Sequence, residues 1–168
     1  MLFLVSCENE PVDPALLIAG PSGPGTNTGV FTAVIDGGNF TAGSKAATYI
    51  TVAGVGHVLT VTGIKSSGEY IAIQMANPSV GTFIADNNTA PETNIILSYR
   101  PNLATTEVFT AFNPIANQAS GILKITSFDL VTKKVSGTFN FVGYPINAIT
   151  PTVQINNGIF TDISFVIQ

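Results

Sequence analysis

Apolar and polar residues alternate along most of this chain in short runs. In Tyr70–Ala76, Ile71, Ile73 and Met75 share one face, while Tyr70, Ala72 and Gln74 share the other. In Val135–Val142, Val135, Gly137, Phe139 and Phe141 alternate in the same way with Ser136, Thr138 and Asn140. A period of two marks a strand with one buried face. Strands are also predicted at Val30–Asp36, Thr48–Ala53, His57–Ile64, Gly81–Ala85, Asn94–Tyr99, Glu107–Phe112 and Ile122–Leu130. Turn chemistry separates them at Gly37-Gly38, Gly54-Val55-Gly56, Ser66-Ser67-Gly68 and Thr132-Lys133-Lys134. Near the C-terminus, Asn156-Asn157-Gly158 between TVQI and IFTDISFVI predicts a tight hairpin, because Asn and Gly accept positive φ. No helical period appears. The expectation is an all-β domain over residues 29–168, an antiparallel β-sandwich or flattened β-barrel of roughly ten strands.

A Gly-x-Phe signature recurs at Gly29–Phe31, Gly81–Phe83, Gly137–Phe139 and Gly158–Phe160. Gly and Phe two apart share a strand face, so the glycine predicts room for a neighbouring ring in the core. The intervals between copies are unequal, which does not describe a repeat array.

Residues 8–28 carry Pro11, Pro14, Pro21 and Pro24 and several glycines, composition that opposes regular structure and predicts a disordered tether. At roughly 3.1 Å per residue it reaches on the order of 60 Å. The short apolar island Leu16-Leu17-Ile18 can shorten that reach by docking on the domain.

Composition narrows the function classes. Of the 168 residues only 10% are charged, and the six Lys and Arg form no basic cluster, so nucleic-acid binding has no electrostatic footprint. The formal net charge is −4. A single cysteine forms no intramolecular disulfide and has no partner for a cysteine-based metal site. No apolar run approaches the length of a transmembrane helix. The absence of Trp and the four tyrosines speak against the aromatic girdles of a membrane barrel.

Candidate chemistry is thin. His57 stands alone beside a Gly-rich turn and reads as a solvated strand end rather than a general base. Asp36, Glu69, Asp86, Glu92, Glu107, Asp129 and Asp162 fall mostly at strand ends or turns, where a catalytic pair requires the fold to bring two together. Asp86–Glu92 (DNNTAPE) supplies oxygen ligands suited to calcium but lacks the spacing of a calcium loop. Tyr49, Tyr70, Tyr99 and Tyr144 are the tyrosines available to a sugar platform, and Asn39-Phe40-Thr41 and Asn87-Asn88-Thr89 are glycosylation sequons. No catalytic, metal or cofactor-binding residue is assigned, and no cofactor is implied.

Leu4-Val5-Ser6-Cys7 has the form of a lipobox, with an aliphatic residue three before the cysteine and a small one immediately before it. Cys7 is therefore the expected lipid-attachment residue, residues 1–6 the remnant of a signal peptide and residues 7–28 the lipidated tether. Anchoring by more than one acyl chain follows from the roughly 0.8 kcal/mol that each buried methylene contributes.

Together with this lipobox and tether, GVFTAVIDGGNFTAG, HVLTVTGI, GILKITSFD, KVSGTFNFVG and NNGIFTDISF resemble a family of uncharacterised Bacteroidota lipoproteins, a domain of unknown function. The resemblance spans approximately residues 29–168 and rests on strand and turn motifs, so it carries no catalytic residues. It implies export to the cell envelope as an outer-membrane lipoprotein, with Glu8 and Glu10 compatible with surface display. The expected function is a non-enzymatic binding or structural module, attached to the membrane by its lipid, with an envelope protein or glycan as partner. The alternatives are a lipocalin-like carrier of a small apolar ligand, which requires a cavity lined by Phe, Ile and Met, and, less favoured, a hydrolase.

Overall fold

The computed structural model describes residues 27–85, 95–145, 148 and 150–168. Cys7, the greater part of the expected tether, the island at residues 16–18 and the calcium candidate at residues 86–92 lie outside the described residues. Thirteen strands follow in chain order: β1 (Val30–Ile35), β2 (Gly38–Thr41), β3 (Ser44–Val52), β4 (Gly56–Ile64), β5 (Tyr70–Ala76), β6 (Gly81–Ala85), β7 (Ile95–Arg100), β8 (Phe109–Thr110), β9 (Phe112–Asn113), β10 (Gln118–Ala119), β11 (Gly121–Asp129), β12 (Lys134–Pro145) and β13 (Val153–Ile167). The all-β expectation holds, and no helix is present among the described residues. Division of the run expected at Glu107–Phe112 into the two-residue strands β8 and β9 around Ala111, together with the short strand β10, raises the count.

Hydrogen bonding closes on itself. One layer runs β2-β1-β13-β12-β11-β6, all antiparallel. The other runs β3-β4-β5-β7-β8, also antiparallel. The layers join at two corners. The end of β13 pairs in parallel with β3, Phe165 opposite Ala47, and the end of β12 pairs with β8, Tyr144 opposite Thr110. The result is a flattened barrel with a sandwich-like core, and the single parallel pairing of β13 with β3 departs from the antiparallel pattern expected.

β13 carries the main correction. Asn156-Asn157-Gly158 is no hairpin; the strand continues through it. Asn157 does adopt positive φ (51°), and the register against both β1 and β12 slips there by one residue. A second slip against β12 falls at Asp162 (φ 52°), whose N–H is taken up by Ser136 Oγ at 2.9 Å. Turn and bulge demand the same positive φ, and the ladders on both edges of β13 select the bulge. Each bulge inserts one exposed residue and resets the alternation, so the buried pairs are Val153/Ile155, Gly158/Phe160 and Ile163/Phe165. Bulges sharpen twist, which lets a 15-residue strand leave one layer and enter the other.

The Gly-x-Phe motifs explain the packing between β12 and β13. Gly137 lies opposite Phe160, and Phe139 lies opposite Gly158, so each ring covers the glycine on the neighbouring strand. A β-carbon built on Gly158 would sit 2.5 Å from the Phe139 ring. Phe31 of β1 joins them, with its ring centroid 5.5 Å from that of Phe139 and 6.3 Å from that of Phe160, and it also covers Gly63 of the opposite layer. These three rings are almost wholly buried, so the structure reads this motif as core rather than as a ligand platform.

Overpacking a filled core costs about 1–3 kcal/mol. Gly158→Ala should therefore lower stability by about that amount in urea unfolding. Combining it with Phe139→Leu should cost less than the sum of the two single changes, because the residues touch.

Candidate functional site

The interior is filled. Phe31, Phe40, Leu59, Ile71, Ile73, Leu97, Leu123, Ile125, Phe139, Ile155, Phe160 and Ile163 are each less than 2% exposed. At Gly63 and Gly158 an added methyl group would strike a ring. Among the described residues these side chains form one continuous apolar core. Besides a depression of about 290 Å³ over β1 and β2, whose lining (Thr32, Val34, Asn39, Thr41 and Asn157 among it) holds no charged side chain, two candidate sites lie on the outside.

The first is a cleft of about 300 Å³ at one end of the barrel. Asp36 reaches it from the β1–β2 turn, Glu107 and Phe109 from the approach to β8, Pro151–Val153 from the head of β13, and Tyr99 from β7. Asp36 and Gly37 both take positive φ, as a two-residue hairpin with a primed turn requires, and Asp36 Oδ1 accepts the Gln154 N–H at 2.8 Å. Tyr99 is buried, and its hydroxyl donates to Glu69 Oε1 at 3.4 Å. Glu69 Oε2 in turn accepts from Ser67 Oγ at 2.9 Å and pairs with Lys65 Nζ at 2.7 Å. Burial pushes the Tyr99 phenol up to about 12, reinforced by the charge and hydrogen bond of Glu69 and by the charges of Asp36 and Glu107. For Glu69 burial acts upward, but the Lys65 and Ser67 hydrogen bonds, the Lys65 charge and the Tyr99 hydroxyl outweigh it and leave its pKa lowered. Sequence placed these acids at strand ends and turns; the fold brings Asp36, Glu69 and Glu107 around one phenol, which spacing along the chain does not reveal.

The second depression, about 250 Å³, lies on the outer face of the β3–β7 layer. Ile50, Val52, Val55, Val58, Ala76 and Ile96 line it, with Gln74 as its polar member. Val58 and Ala76 are buried although they point away from the core. The β3–β4 turn forms one rim. Asn77 holds this turn, donating from Nδ2 to the Val55 carbonyl (3.1 Å) while its Oδ1 accepts the His57 N–H (3.1 Å).

His57 is the second residue of β4 and is exposed, as expected of a strand end. Its ring stacks on Tyr49 at 4.9 Å, and its Nδ1 lies 3.3 Å from Thr51 Oγ1. Tyr99 pairs through Ile71 with Gly63, six residues along β4 from His57, a separation of roughly 20 Å. The histidine and the acid cluster thus sit apart. Asp129 ends β11, where hydrogen bonds from Thr132 and Val131 in the following turn hold its pKa low, and Asp162 is a bulge residue. The tyrosines are dispersed over β3, β5, β7 and β12 and form no common platform. Asn39 is exposed on β2, beside the buried Phe40. Among the described residues no three His, Cys, Asp or Glu side chains are grouped to hold a metal ion.

A family model described as a domain of unknown function, DUF6252, matches residues 27–164. The chain belongs to the DUF6252 family. No curated protein and no solved structure matches it. The DUF6252 match starts at Asn27, and in the structure that residue is fixed. Its Nδ2 donates to the Ser164 carbonyl at 3.0 Å, and its Oδ1 accepts the Ser164 N–H at 3.1 Å. These bonds fill the gap on β13 between its pairing with β1, which ends at Val30–Thr161, and its pairing with β3, which starts at Phe165–Ala47.

The Tyr99 shift has a sign that titration can check. An unfolded chain ionises this phenol near 10, ahead of the folded one, so stability should fall as pH rises from about 10 towards 12. Subtracting the absorbance titration of Tyr99→Phe from that of the parent should isolate a phenol ionising near 12, and Glu69→Gln should move it down towards 10.

Proposed function

We propose that this DUF6252 protein is a lipid-anchored protein of the cell envelope, of the Bacteroidota lipoprotein type, whose β domain is a non-enzymatic binding or structural module. The lipobox Leu4-Val5-Ser6-Cys7, followed by a Pro- and Gly-rich stretch up to Asn27, is the observation that carries this reading. In it the Cys7 thiol takes the lipid, removal of residues 1–6 then makes Cys7 the first residue, and the outer membrane is the destination, with Glu8 and Glu10 favouring display at the surface. The module is read as acting through its outer surfaces, on an envelope protein or a glycan. Its filled core supports that choice over a carrier, because a ligand of drug size needs a pocket of roughly 300–1,000 Å³ that buries most of its surface. A weakly charged coat rich in Thr, Ser, Asn and Gly gives no basis for nucleic-acid binding.

Cys7→Ala, expressed from the native gene in its host, provides the test. The parent should fractionate with membranes and enter the detergent phase on phase separation, while the variant should appear in the soluble fraction. A variant that stays membrane-bound like the parent overturns the anchor.

A further inference from the structure

The apolar depression on the outer face of the β3–β7 layer is a built feature. Strand register places most of its lining in two neighbouring rows: Ile50, Val58 and Ala76 across β3, β4 and β5, and Gln74 and Ile96 across β5 and β7, the latter row continuing through Thr60 and Thr48 to Val166 of β13. The Asn77 bonds to the β3–β4 turn hold Val55 at the rim. Outward-facing strand positions are ordinarily polar, yet here six aliphatic side chains converge on one spot.

We propose that Leu16-Leu17-Ile18 of the same chain docks in this depression. Chain length and exit point support that occupant. The last fixed residue, Asn27, sits on Ser164, beside the corner where β13 joins β3. From Ala47, which pairs with Phe165, Ile50 is three residues along β3, roughly 10 Å, and the depression spans two further strands at about 5 Å each. The nine-residue step from Ile18 to Asn27 covers up to about 30 Å, so the island reaches the site with slack. Val166, exposed at the β13 end of the second row, extends apolar surface from that corner towards the site. A connection this short holds the island at an effective concentration on the order of millimolar, so that three aliphatic side chains suffice where a free tripeptide would not. Residues 86–94, which lead into Ile95, read DNNTAPETN and offer no large aliphatic group. Docking shortens the free spacer after Cys7 to residues 8–15 and turns this face of the barrel towards the tether.

The inference stands whether or not Cys7 is lipidated. It is tested on the unlipidated full chain carrying Cys7→Ser, with a nitroxide on Ala19→Cys and methyl relaxation as the readout. Methyl signals of Ile50, Val55, Val58 and Ile96 should broaden several-fold more than those of Ile84 and Ile122, which are exposed on the other layer. Adding Leu16→Ser, Leu17→Ser and Ile18→Ser should abolish the difference. Equal broadening of both faces, or a difference that survives the three serines, overturns the proposal. So does broadening that passes from labelled to unlabelled molecules in a mixture, which would assign the face to a second copy. The fractionation of Cys7→Ala is independent of each of these results.

Discussion

Two β layers can share one closed core only where strands carry hydrogen bonding from one layer to the other. In this protein β12 and β13 do so. Along most of their length they are the central pair of one layer, and their ends become the outer strands of the second. The pair stays close because Gly137 and Gly158 each receive the ring of the other strand's phenylalanine. Bulky against small, in reciprocal register, replaces two clashes with two contacts and fixes the register in the same stroke. The two bulges of β13 then supply the twist that carries the strand to the second layer.

A core closed in this way moves recognition to the outside. With one ion pair among the described residues and few charges in the chain, the exterior offers little long-range electrostatic steering. What it offers is shape: an acid-rimmed cleft at one end and an aliphatic depression on one face. The former connects through the buried Tyr99 to the partly exposed Glu69–Lys65 pair. The latter lies on the layer that β13 joins at Phe165, one residue beyond the Ser164 that holds Asn27.

The alternation of Tyr70–Ala76 and Val135–Val142 could be read directly from sequence because each strand has one buried face, so composition reports burial. The Gly-x-Phe motif could be read as ring against glycine, although which ring meets which glycine depends on register between distant strands. Asn156-Asn157-Gly158 misled because positive φ serves hairpins and bulges alike, and the deciding information sits in β1 and β12. Strands of two residues, such as β8 to β10, hold too few positions to show a period. Neither depression was legible. Glu69 and Tyr99 are thirty residues apart, and the Ile50–Val58–Ala76 row comes from three strands whose outward faces are apolar only where they meet.

The β12–β13 pair is the spine on which both layers depend. Native-state hydrogen exchange resolved by residue tests it most directly. The account predicts that the hydrogen-bonded amides of β12 and β13, Phe139, Phe141 and Ile155 among them, exchange only through global unfolding and are the slowest in the molecule. Amides of β4 and β5 that stay protected after those of β12 and β13 have exchanged would contradict it.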